Sequence, residues 1–485
     1  TVAMTGTSGS NTITSGNYQF YNLTVDATGA IYTLGAAVTI NNDLTISNGT
    51  LDVSGANFAM TAKGNWTVNG GGVFNPQAGT VTLSKSGNST QTITGGSFYN
   101  LVLDNATAAT TAVKSLTSSC TITGSITIGG TGTSQLNTST YDVYIAGNWT
   151  NNSTSGLSSS STVYLNGSTG TQLIAGTQAT TFNHLTLSGA AAKNINFNEQ
   201  VNGDLQFSST SGTVTLAATA VITDGGATNI FTIAGSTVFV VLATFPTVFE
   251  TVSLASTSTV RYQANGAQSI YNVASPGYGT LQLYATTPGT ATTKTALGDI
   301  FLQIGVTLGV NGTDNNVTLQ MNNNNMTLAG TSFIQQTGAP QVNWGTGTMT
   351  QNGTGWSIDA DITGFNNLVL GGTGIKLMQS NLNLILGNVT VQNGATLSMQ
   401  TFTLTCTGAS KVLTLQSGST LTCALTASVA FPTGFATYTL DPLSTVTLNG
   451  AGNQTAQCTN ITYGHLNFNP TATANVTLNS NLSCA

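Results

Sequence analysis

Charged side chains are scarce in this 485-residue chain, which has only 8 lysines and arginines and 14 aspartates and glutamates. A soluble chain of this length ordinarily carries roughly 120 charged residues. Nucleic-acid binding depends on neutralising many phosphates, so this shortage of cations predicts no nucleic-acid partner. The composition is not that of a disordered protein either, because 39% of the residues are hydrophobic.

Proline and histidine are also rare, with 8 and 2 residues, and helical start and stop signals are absent. The most apolar stretch, residues 230–249, is rich in threonine and β-branched residues and contains Gly235 and Pro246. This composition favours successive buried strands, so we expect no membrane span. The polar surface must consist mainly of hydroxyl and amide groups. Such neutral groups resist changes of salt and pH, and we therefore expect an extracellular location.

Four short phrases recur along the chain. They are exemplified by Thr80–Leu83, by Gln91–Ile93, by Phe98–Leu101 and, for the fourth, by Asn42–Leu44. Asn11 and Trp356 take the place of glutamine in the first and fifth copies of the second phrase. The phrases divide the chain into repeats 1–79, 80–161, 162–258, 259–347, 348–444 and 445–485, of which the last stops early. Sequence self-similarity of this kind is typical of repeat architectures.

Apolar and polar residues alternate with period two inside the phrases, and glycine- and asparagine-rich turns separate them. This pattern predicts an all-β chain. We expect a parallel β-helix, or β-solenoid, that runs as a single continuous domain over residues 1–485. Tandem β-sandwich domains, one per repeat, are the alternative. They are disfavoured because no linker or shift in composition separates the repeats.

The end of the first repeat and the start of the second carry a family resemblance. Gly64–Thr67, Gly79–Leu83, Gln91–Ile93 and Phe98–Leu101, read in order, resemble the β-strand repeats of secreted prokaryotic surface proteins, which include adhesins and extracellular filament or coat proteins. The resemblance implies a right-handed β-helix and an extracellular role. It extends over most of the chain, although the Gly-Asn-Trp phrase is lost in the later repeats, and it transfers no catalytic residue.

Residues that could support catalysis are few. Asp359 and Asp361 form the one close carboxylate pair on a strand, and no basic residue lies near them in sequence. A structural role is also expected for two repeated sets. The aspartates Asp43, Asp204 and Asp299 share one repeat position and are interpreted as turn residues that bond the local backbone. His184 and His465 stand where other repeats have asparagine, and they are interpreted as hydrogen-bonding turn or ladder residues. We expect no enzyme activity, no metal site and no cofactor.

Five cysteines are present, four of them within the last 80 residues. If the gaps Cys406–Cys423 and Cys458–Cys484 each correspond to about one turn of the solenoid, the sulfurs lie on adjacent turns. We therefore expect these two disulfides in an oxidising exterior. Cys120 is then left as a buried free thiol or as a partner between subunits.

Asn-x-Ser/Thr sequons are abundant, as chance alone predicts for this composition, and only those on outward loops can carry a glycan. The candidate glycosylation sites are Asn48, Asn88, Asn105, Asn148, Asn166, Asn311 and Asn352.

No cap-like sequence is recognisable at either end of the chain. Residues 476–483 match residues 38–45, which places the end in the middle of a repeat. Flanking residues that are not included would explain this, and so would ends that cover each other in head-to-tail assembly. For the second explanation the expected assembly residues are Thr1, Val2, Ala3, Met4, Val476, Leu478, Leu482 and Cys484.

These observations predict an extracellular structural protein whose partner is itself, assembled head-to-tail into a cell-surface filament, sheath or surface layer. An adhesin or glycan-binding stalk is the alternative, with surface glycans as partners, and a glycan-cleaving enzyme ranks below both. The densest aromatic set, Tyr262, Tyr271, Tyr278 and Tyr284, is interpreted as core or stacking residues rather than as a glycan-binding groove.

Overall fold

A computed structural model describes residues 1–208, 210, 212–309, 316–335, 341–358, 364–384, 387–426 and 431–485. These residues form 56 strands and no helix. The strands pair in parallel and stack as a β-solenoid of about 21 turns. The predicted fold class is thus confirmed, while the hand of the coil stays a prediction. Tandem sandwiches are excluded, because sandwiches are built from antiparallel sheets.

The backbone separates into two compact bodies, Thr1–Ser253 and Leu254–Ala485. Whether they form one continuous domain stays a prediction. The first body contains β1 (Val2–Met4), β2 (Gly9–Ile13), β3 (Leu23–Leu34), β4 (Val38–Ile40), β5 (Leu44–Asp52), β6 (Met60–Ala62), β7 (Trp66–Asn75), β8 (Thr80–Leu83), β9 (Thr90–Thr94), β10 (Gly96–Phe98), β11 (Asn100–Leu103), β12 (Thr111–Leu116), β13 (Cys120–Ile122), β14 (Ile126–Ile128), β15 (Thr133–Ser139), β16 (Val143–Ile145), β17 (Trp149–Asn151), β18 (Leu157–Ser159), β19 (Thr162–Leu165), β20 (Thr171–Gly176), β21 (Thr180–Phe182), β22 (His184–Leu187), β23 (Ala192–Ile195), β24 (Glu199–Val201), β25 (Leu205–Phe207), β26 (Val214–Leu216), β27 (Ile222–Asp224), β28 (Ile230–Ile233) and β29 (Val238–Val241).

A further strand, β30 (Thr251–Leu254), spans the boundary. The second body contains β31 (Thr259–Tyr262), β32 (Gln268–Ile270), β33 (Tyr278–Leu283), β34 (Thr292–Ala296), β35 (Ile300–Leu308), β36 (Val317–Gln320), β37 (Met326–Leu328), β38 (Ser332–Gln335), β39 (Gln341–Asn343), β40 (Thr348–Gln351), β41 (Trp356–Ile358), β42 (Asn367–Leu370), β43 (Gly374–Met378), β44 (Leu382–Leu384), β45 (Val389–Val391), β46 (Ala395–Ser398), β47 (Leu404–Cys406), β48 (Val412–Leu415), β49 (Thr420–Cys423), β50 (Thr437–Leu440), β51 (Thr445–Leu448), β52 (Gln454–Ala456), β53 (Thr462–Tyr463), β54 (His465–Phe468), β55 (Val476–Leu478) and β56 (Ser483–Cys484).

The recurring phrases mark strands that lie side by side. The valine of the first phrase pairs in register with the leucine of the third, one turn further along, as Val81 does with Leu101. The leucine of the fourth phrase then follows on the next turn, as Leu44 does beside Leu23. The same pairing recurs in the sixth repeat, where Val446 lies beside Leu466. The phrases therefore recur because the strand of one phrase packs on the strand of another phrase one turn along.

Inward-facing side chains fill the solenoid with a stack of apolar layers. Alternate strand residues are fully buried, and the largest of them are aromatic, such as Trp66 and Trp149. Trp66 packs edge-on against Phe74 with ring centroids 4.8 Å apart, and Trp149 lies 5.3 Å from Phe182. The hydrophobic stabilisation thus comes from repeated layers within each body rather than from one central cluster.

Candidate functional sites on the solenoid

Each body carries polar side chains that form a ladder at a corner of its turns, and we call these side chains the corner ladder. Each member directly precedes an apolar residue, which in several turns is that of the third or fourth phrase. Asn22 Oδ1 accepts a hydrogen bond from the backbone N–H of Asp43 at 3.1 Å, and Asp43 Oδ1 accepts one from Asn65 N at 2.7 Å. Asn65 Oδ1 in turn accepts from Thr92 N at 3.0 Å. The same acceptor role on later turns is filled by Asn100, Ser125, Asn148, Asp204, Asp299, Asn325, Asn367 and Asn388.

His184 belongs to this ladder. Its Nδ1 accepts a hydrogen bond from Asp204 N at 2.9 Å, so that nitrogen carries no proton in the folded chain. The Asp204 carboxylate lies 3.8 Å from the same nitrogen, and its Oδ1 accepts from Ile230 N at 3.0 Å. The hydrogen-bonding ladder role predicted for His184 is confirmed. Asp43, Asp204 and Asp299 accept from backbone N–H groups of the next turn, and the prediction that they bond the local backbone is corrected in this respect. His465 lies exposed on β54.

Replacing Asn148 by alanine should lower the free energy of unfolding by about 1–2 kcal/mol, because Leu173 N loses its acceptor at 2.9 Å. Asn148→Asp keeps an acceptor oxygen and should remain close to the parent protein. The exposed Asn166 supplies a control, since Asn166→Ala should have little effect. Urea unfolding of the three variants measures the difference. Equal stability of Asn148→Ala and Asn166→Ala would show that the ladder does not stabilise the fold.

A second corner is filled from inside by buried glutamines. Gln91 is fully buried, its Nε2 donates to Ala62 O at 3.0 Å and to Gly64 O, and its Oε1 accepts from Lys85 N at 3.4 Å. Gln172 and Gln454, in the third and sixth copies of the phrase, repeat this arrangement. The second phrase thus supplies the amide that satisfies inward-pointing backbone groups of the turns.

Buried lysines stack on this corner one turn later. Lys114 lies in register with Gln91, Lys193 with Gln172, Lys294 with Gln268, and Lys376 with Trp356, the residue that replaces glutamine in the fifth repeat. The four lysines are at most 1% exposed, and each ammonium group donates to backbone carbonyls of the turns. Burial lowers the pKa of Lys114, Lys193 and Lys294 to about 8, and it also lowers that of Lys376.

Glu199 is the buried acid of the first body. It is 2% exposed and lies in register with Thr180, whose backbone N–H donates to Glu199 Oε2 at 2.6 Å. Its second oxygen, Oε1, has no hydrogen-bond partner among the described residues. Burial raises the pKa of Glu199 to about 8, against the effect of the Thr180 hydrogen bonds. At neutral pH this carboxyl group is therefore mostly protonated.

The disulfide prediction is wrong for the chain as described, because all five cysteines are free thiols. Cys406 and Cys423 lie on different sheets, and the residue paired with Thr405 one turn on is Thr433, so 17 residues do not make one turn here. Cys484 lies in register with Tyr463 rather than with Cys458. Cys120 is a buried free thiol, one of its two predicted states, and burial raises its pKa to about 12.

The sequons differ in accessibility. Asn88, Asn166 and Asn352 are exposed, Asn48 is partly exposed, and their glycosylation stays a prediction. Asn148 is occupied in the corner ladder. The prediction for Asn105 is wrong for the folded chain, because its side chain is fully buried and its Nδ2 donates to Thr110 O and Thr133 O. Asn311 lies outside the described residues.

The tyrosine set does not form a surface groove. Tyr262 and Tyr278 are fully buried with hydroxyl oxygens 3.0 Å apart, which confirms their assignment to the core. Tyr284 lies beneath Arg261, whose guanidinium carbon is 5.2 Å from the ring centroid. This contact fits the predicted stacking role.

No candidate catalytic cluster emerges from the described part of the chain. It contains no group of three or more histidine, cysteine, aspartate or glutamate side chains placed to hold a metal ion. Asp359 and Asp361 lie outside the described residues. Within the described ranges no helix is long and apolar enough to cross a membrane.

The predicted assembly residues lie on the outermost strands. β1 pairs only with β3, and β54, β55 and β56 each end a sheet. Apolar side chains are uncovered there, with Val2, Phe468, Leu478 and Leu482 between 41% and 46% exposed, although the corresponding residues of inner turns are fully buried. Thr1, Ala3 and Cys484 are exposed, and Met4 and Val476 are partly exposed.

The predicted alignment of residues 476–483 with 38–45 is wrong. Leu44 lies beside the third-phrase residue Leu23, whereas Ser483 and Cys484 pair with Thr462 and Tyr463, which precede the third-phrase residue Leu466. Leu482 therefore does not occupy the place of the fourth phrase. Short Thr-x-Leu and Asn-Leu strings recur so often that letter matching alone shifts the register.

No protein-family model, no curated protein and no solved structure matches this chain. Its class is therefore defined by architecture, as a β-solenoid repeat protein.

Proposed function

We propose that this β-solenoid is an extracellular structural protein that joins end to end with copies of itself in a cell-surface filament, sheath or layer. The observation that carries the proposal is that each body has strands with a neighbour on one side only. β1 in the first body and β54 to β56 in the second end their sheets, and apolar side chains of the kind buried in the inner turns are exposed on or next to them. Strand edges of this kind accept further strands by hydrogen bonding.

Self-association is favoured over binding of a different protein, because the edge strands pair with their neighbours in the same register as the strands of the inner turns do. Val2 pairs with Leu23 one turn on in the first body, as Val446 pairs with Leu466 at an edge of the second body. A second copy stacked on an edge would form the same backbone hydrogen bonds and the same apolar contacts that successive turns form within the chain. Contacts of this heterologous type do not close on themselves and give filaments.

The sparse charge supports the extracellular part of the proposal. The formal net charge is −6 over 485 residues. The one acid–base contact in the described ranges, 3.8 Å from His184 Nδ1 to Asp204 Oδ2, uses an imidazole nitrogen that acts as a hydrogen-bond acceptor. Cohesion then depends on backbone ladders and apolar layers, which salt screens little. A surface of this kind suits a material exposed to changing salt.

Charge placed on either edge should abolish assembly. Leu478→Lys at the β55 edge and Val2→Lys at the β1 edge each bury an unpaired ammonium in the joint, which is costly. Leu297→Lys is the matched control, because Leu297 is 60% exposed in the bend between β34 and β35, which are inner strands of their sheets. Sedimentation velocity and electron microscopy should show polymers for the parent protein and for Leu297→Lys only.

Mixing the two edge variants distinguishes head-to-tail joining from other modes. Each variant keeps one intact edge, so a mixture of Val2→Lys and Leu478→Lys should form heterodimers and stop there. Polymers in the mixture, or monomers from the parent protein at high concentration, would refute end-to-end assembly.

A further inference from the structure

The second body has a surface trough of about 410 Å³, which we call the Phe301 trough. It crosses several consecutive turns, because its lining comes from the segments around β31, β33, β35 and β37. The residues used below are Ser256, Ser275, Pro276, Phe301, Gln303 and Thr327. The register of β33 on β35 shifts between Tyr278 and Thr280, which interrupts the even stacking beside the trough. A volume of this size accommodates a small ligand.

Apolar rings line part of the trough. Phe301 lies on β35 as an outward, partly exposed residue, in register with Thr327 on the next turn. Pro276 is exposed on the preceding turn. Outward positions on the paired strands are mostly threonine and other polar residues, so a phenyl ring and a pyrrolidine ring in one depression are a departure from the pattern. Aromatic faces in such places bind flat apolar surfaces of ligands.

Polar groups surround these rings. Gln303 Nε2 donates to Gly277 O at 3.0 Å and to Leu254 O at 3.3 Å, which fixes the carboxamide against two turns of the backbone. Ser256, Ser275 and Thr327 add hydroxyl groups to the lining. Fixed amide and hydroxyl groups around an apolar surface give a ligand both orientation and specificity.

The lining contains no charged side chain. A phosphate, a carboxylate or an ammonium ligand would lose its hydration without gaining a counter-charge, which is unfavourable. A purely apolar ligand would remove water from the lining hydroxyl groups and from the Gln303 carbonyl oxygen without replacing its hydrogen bonds. The remaining chemistry is a neutral ligand that has apolar C–H faces and several hydroxyl groups.

We infer that the Phe301 trough binds a neutral saccharide of one or two pyranose rings. One ring stacks its C–H face on Phe301, and its hydroxyl groups exchange hydrogen bonds with Gln303, Ser275 and Thr327. This site lies away from β54 to β56, so the inference does not depend on end-to-end assembly. It adds a glycan contact to a structural protein without requiring any bond to be broken.

Saturation-transfer NMR with lactose, cellobiose and N,N′-diacetylchitobiose as probes tests the inference on the full chain. We expect at least one of these neutral sugars to bind, and Phe301→Ala and Gln303→Leu each to weaken binding about tenfold or more, a loss of roughly 1.4 kcal/mol. Tyr18→Ala is the control, because Tyr18 is 85% exposed and lies in the other body. Thermal unfolding shows whether each variant is folded.

The contrary results are equally specific. Saturation transfer from none of the neutral sugars would overturn the inference, and so would binding that both trough variants retain. Preference for glucuronate or glucosamine oligomers would overturn the neutral-ligand argument. If Phe301→Ala fails to fold, Ser275→Ala and Gln303→Leu decide the question, because both alter the polar lining and leave the ring in place.

Discussion

Replacing Lys193 by methionine is expected to lower the free energy of unfolding by about 2–4 kcal/mol at pH 7. Lys193 Nζ donates to Ala191 O at 2.7 Å and to the carbonyl oxygens of Gly167 and Gly189 at 3.3 Å. Methionine fits the same volume and removes all three donors. Relief of the buried charge offsets part of the loss, but three carbonyl groups inside the turn then lack their partner.

Two matched variants separate this effect from the loss of a positive charge. Lys63 is exposed and donates to Asn41 Oδ1, so Lys63→Met should change stability by less than about 0.5 kcal/mol. Lys193→Gln should recover part of the loss, because Gln172 satisfies turn carbonyls with a carboxamide one turn earlier. Chemical unfolding at constant pH gives the three values. If Lys193→Met is as stable as the parent protein, the ammonium group is not a structural donor.

Replacing Glu199 by glutamine should stabilise the chain at alkaline pH. The pKa of Glu199 is about 8 in the fold, against an ordinary value of 4.5. Because the folded state holds the proton more tightly, the contribution of Glu199 is fully present below pH 4.5 and is lost as the pH rises to about 8. Glutamine keeps an acceptor for Thr180 N and does not ionise. At pH 8.5 the variant should exceed the parent by roughly 3–5 kcal/mol.

The measurement is urea unfolding of both proteins between pH 4 and pH 8.5. The difference should be small at the acid end and should grow through the interval from 4.5 to 8. Glu250, the other glutamate, provides a control of opposite sign. Its carboxylate accepts from Asn229 N at 2.7 Å, and hydrogen bonds lower its pKa below 4.5, so its contribution is lost only as the pH falls below 4.5. Glu250→Gln should therefore be less stable than the parent by a constant amount above pH 4.5, where Glu199→Gln shows a growing gain. A pH-independent difference for Glu199→Gln would show that this carboxyl is not protonated in the fold.

The fold was predictable because the phrases carry two signals at once. Alternation within Thr80–Leu83 identifies a strand, and its recurrence beside Phe98–Leu101 identifies the neighbour on which that strand stacks. The ladder role of His184 followed from its place among asparagines, since an acceptor at that position is what the next turn needs. Such inferences succeed where one physical requirement repeats on every turn.

The buried lysines were not predicted, and neither was Glu199. An isolated lysine in a strand ordinarily points to solvent, so nothing in the local sequence around Lys114 marks it as internal. The available signal was positional, because Lys114, Lys193 and Lys294 each follow a second-phrase glutamine by one turn.

The spacing of the cysteines led to a wrong prediction because the number of residues per turn is not constant. Turn length varies from 20 to 27 residues along the corner ladder, so a fixed gap does not define neighbours.

The rule that pairs the first phrase with the third also bears on how such a chain changes in evolution. Val81 with Leu101 and Val446 with Leu466 are interchangeable junctions, although they come from repeats far apart in sequence. Recombination between two copies would therefore delete or duplicate whole repeats while every new junction keeps a pairing that already folds. The length of the solenoid can then change by one whole repeat at a time, and few compensating substitutions are required.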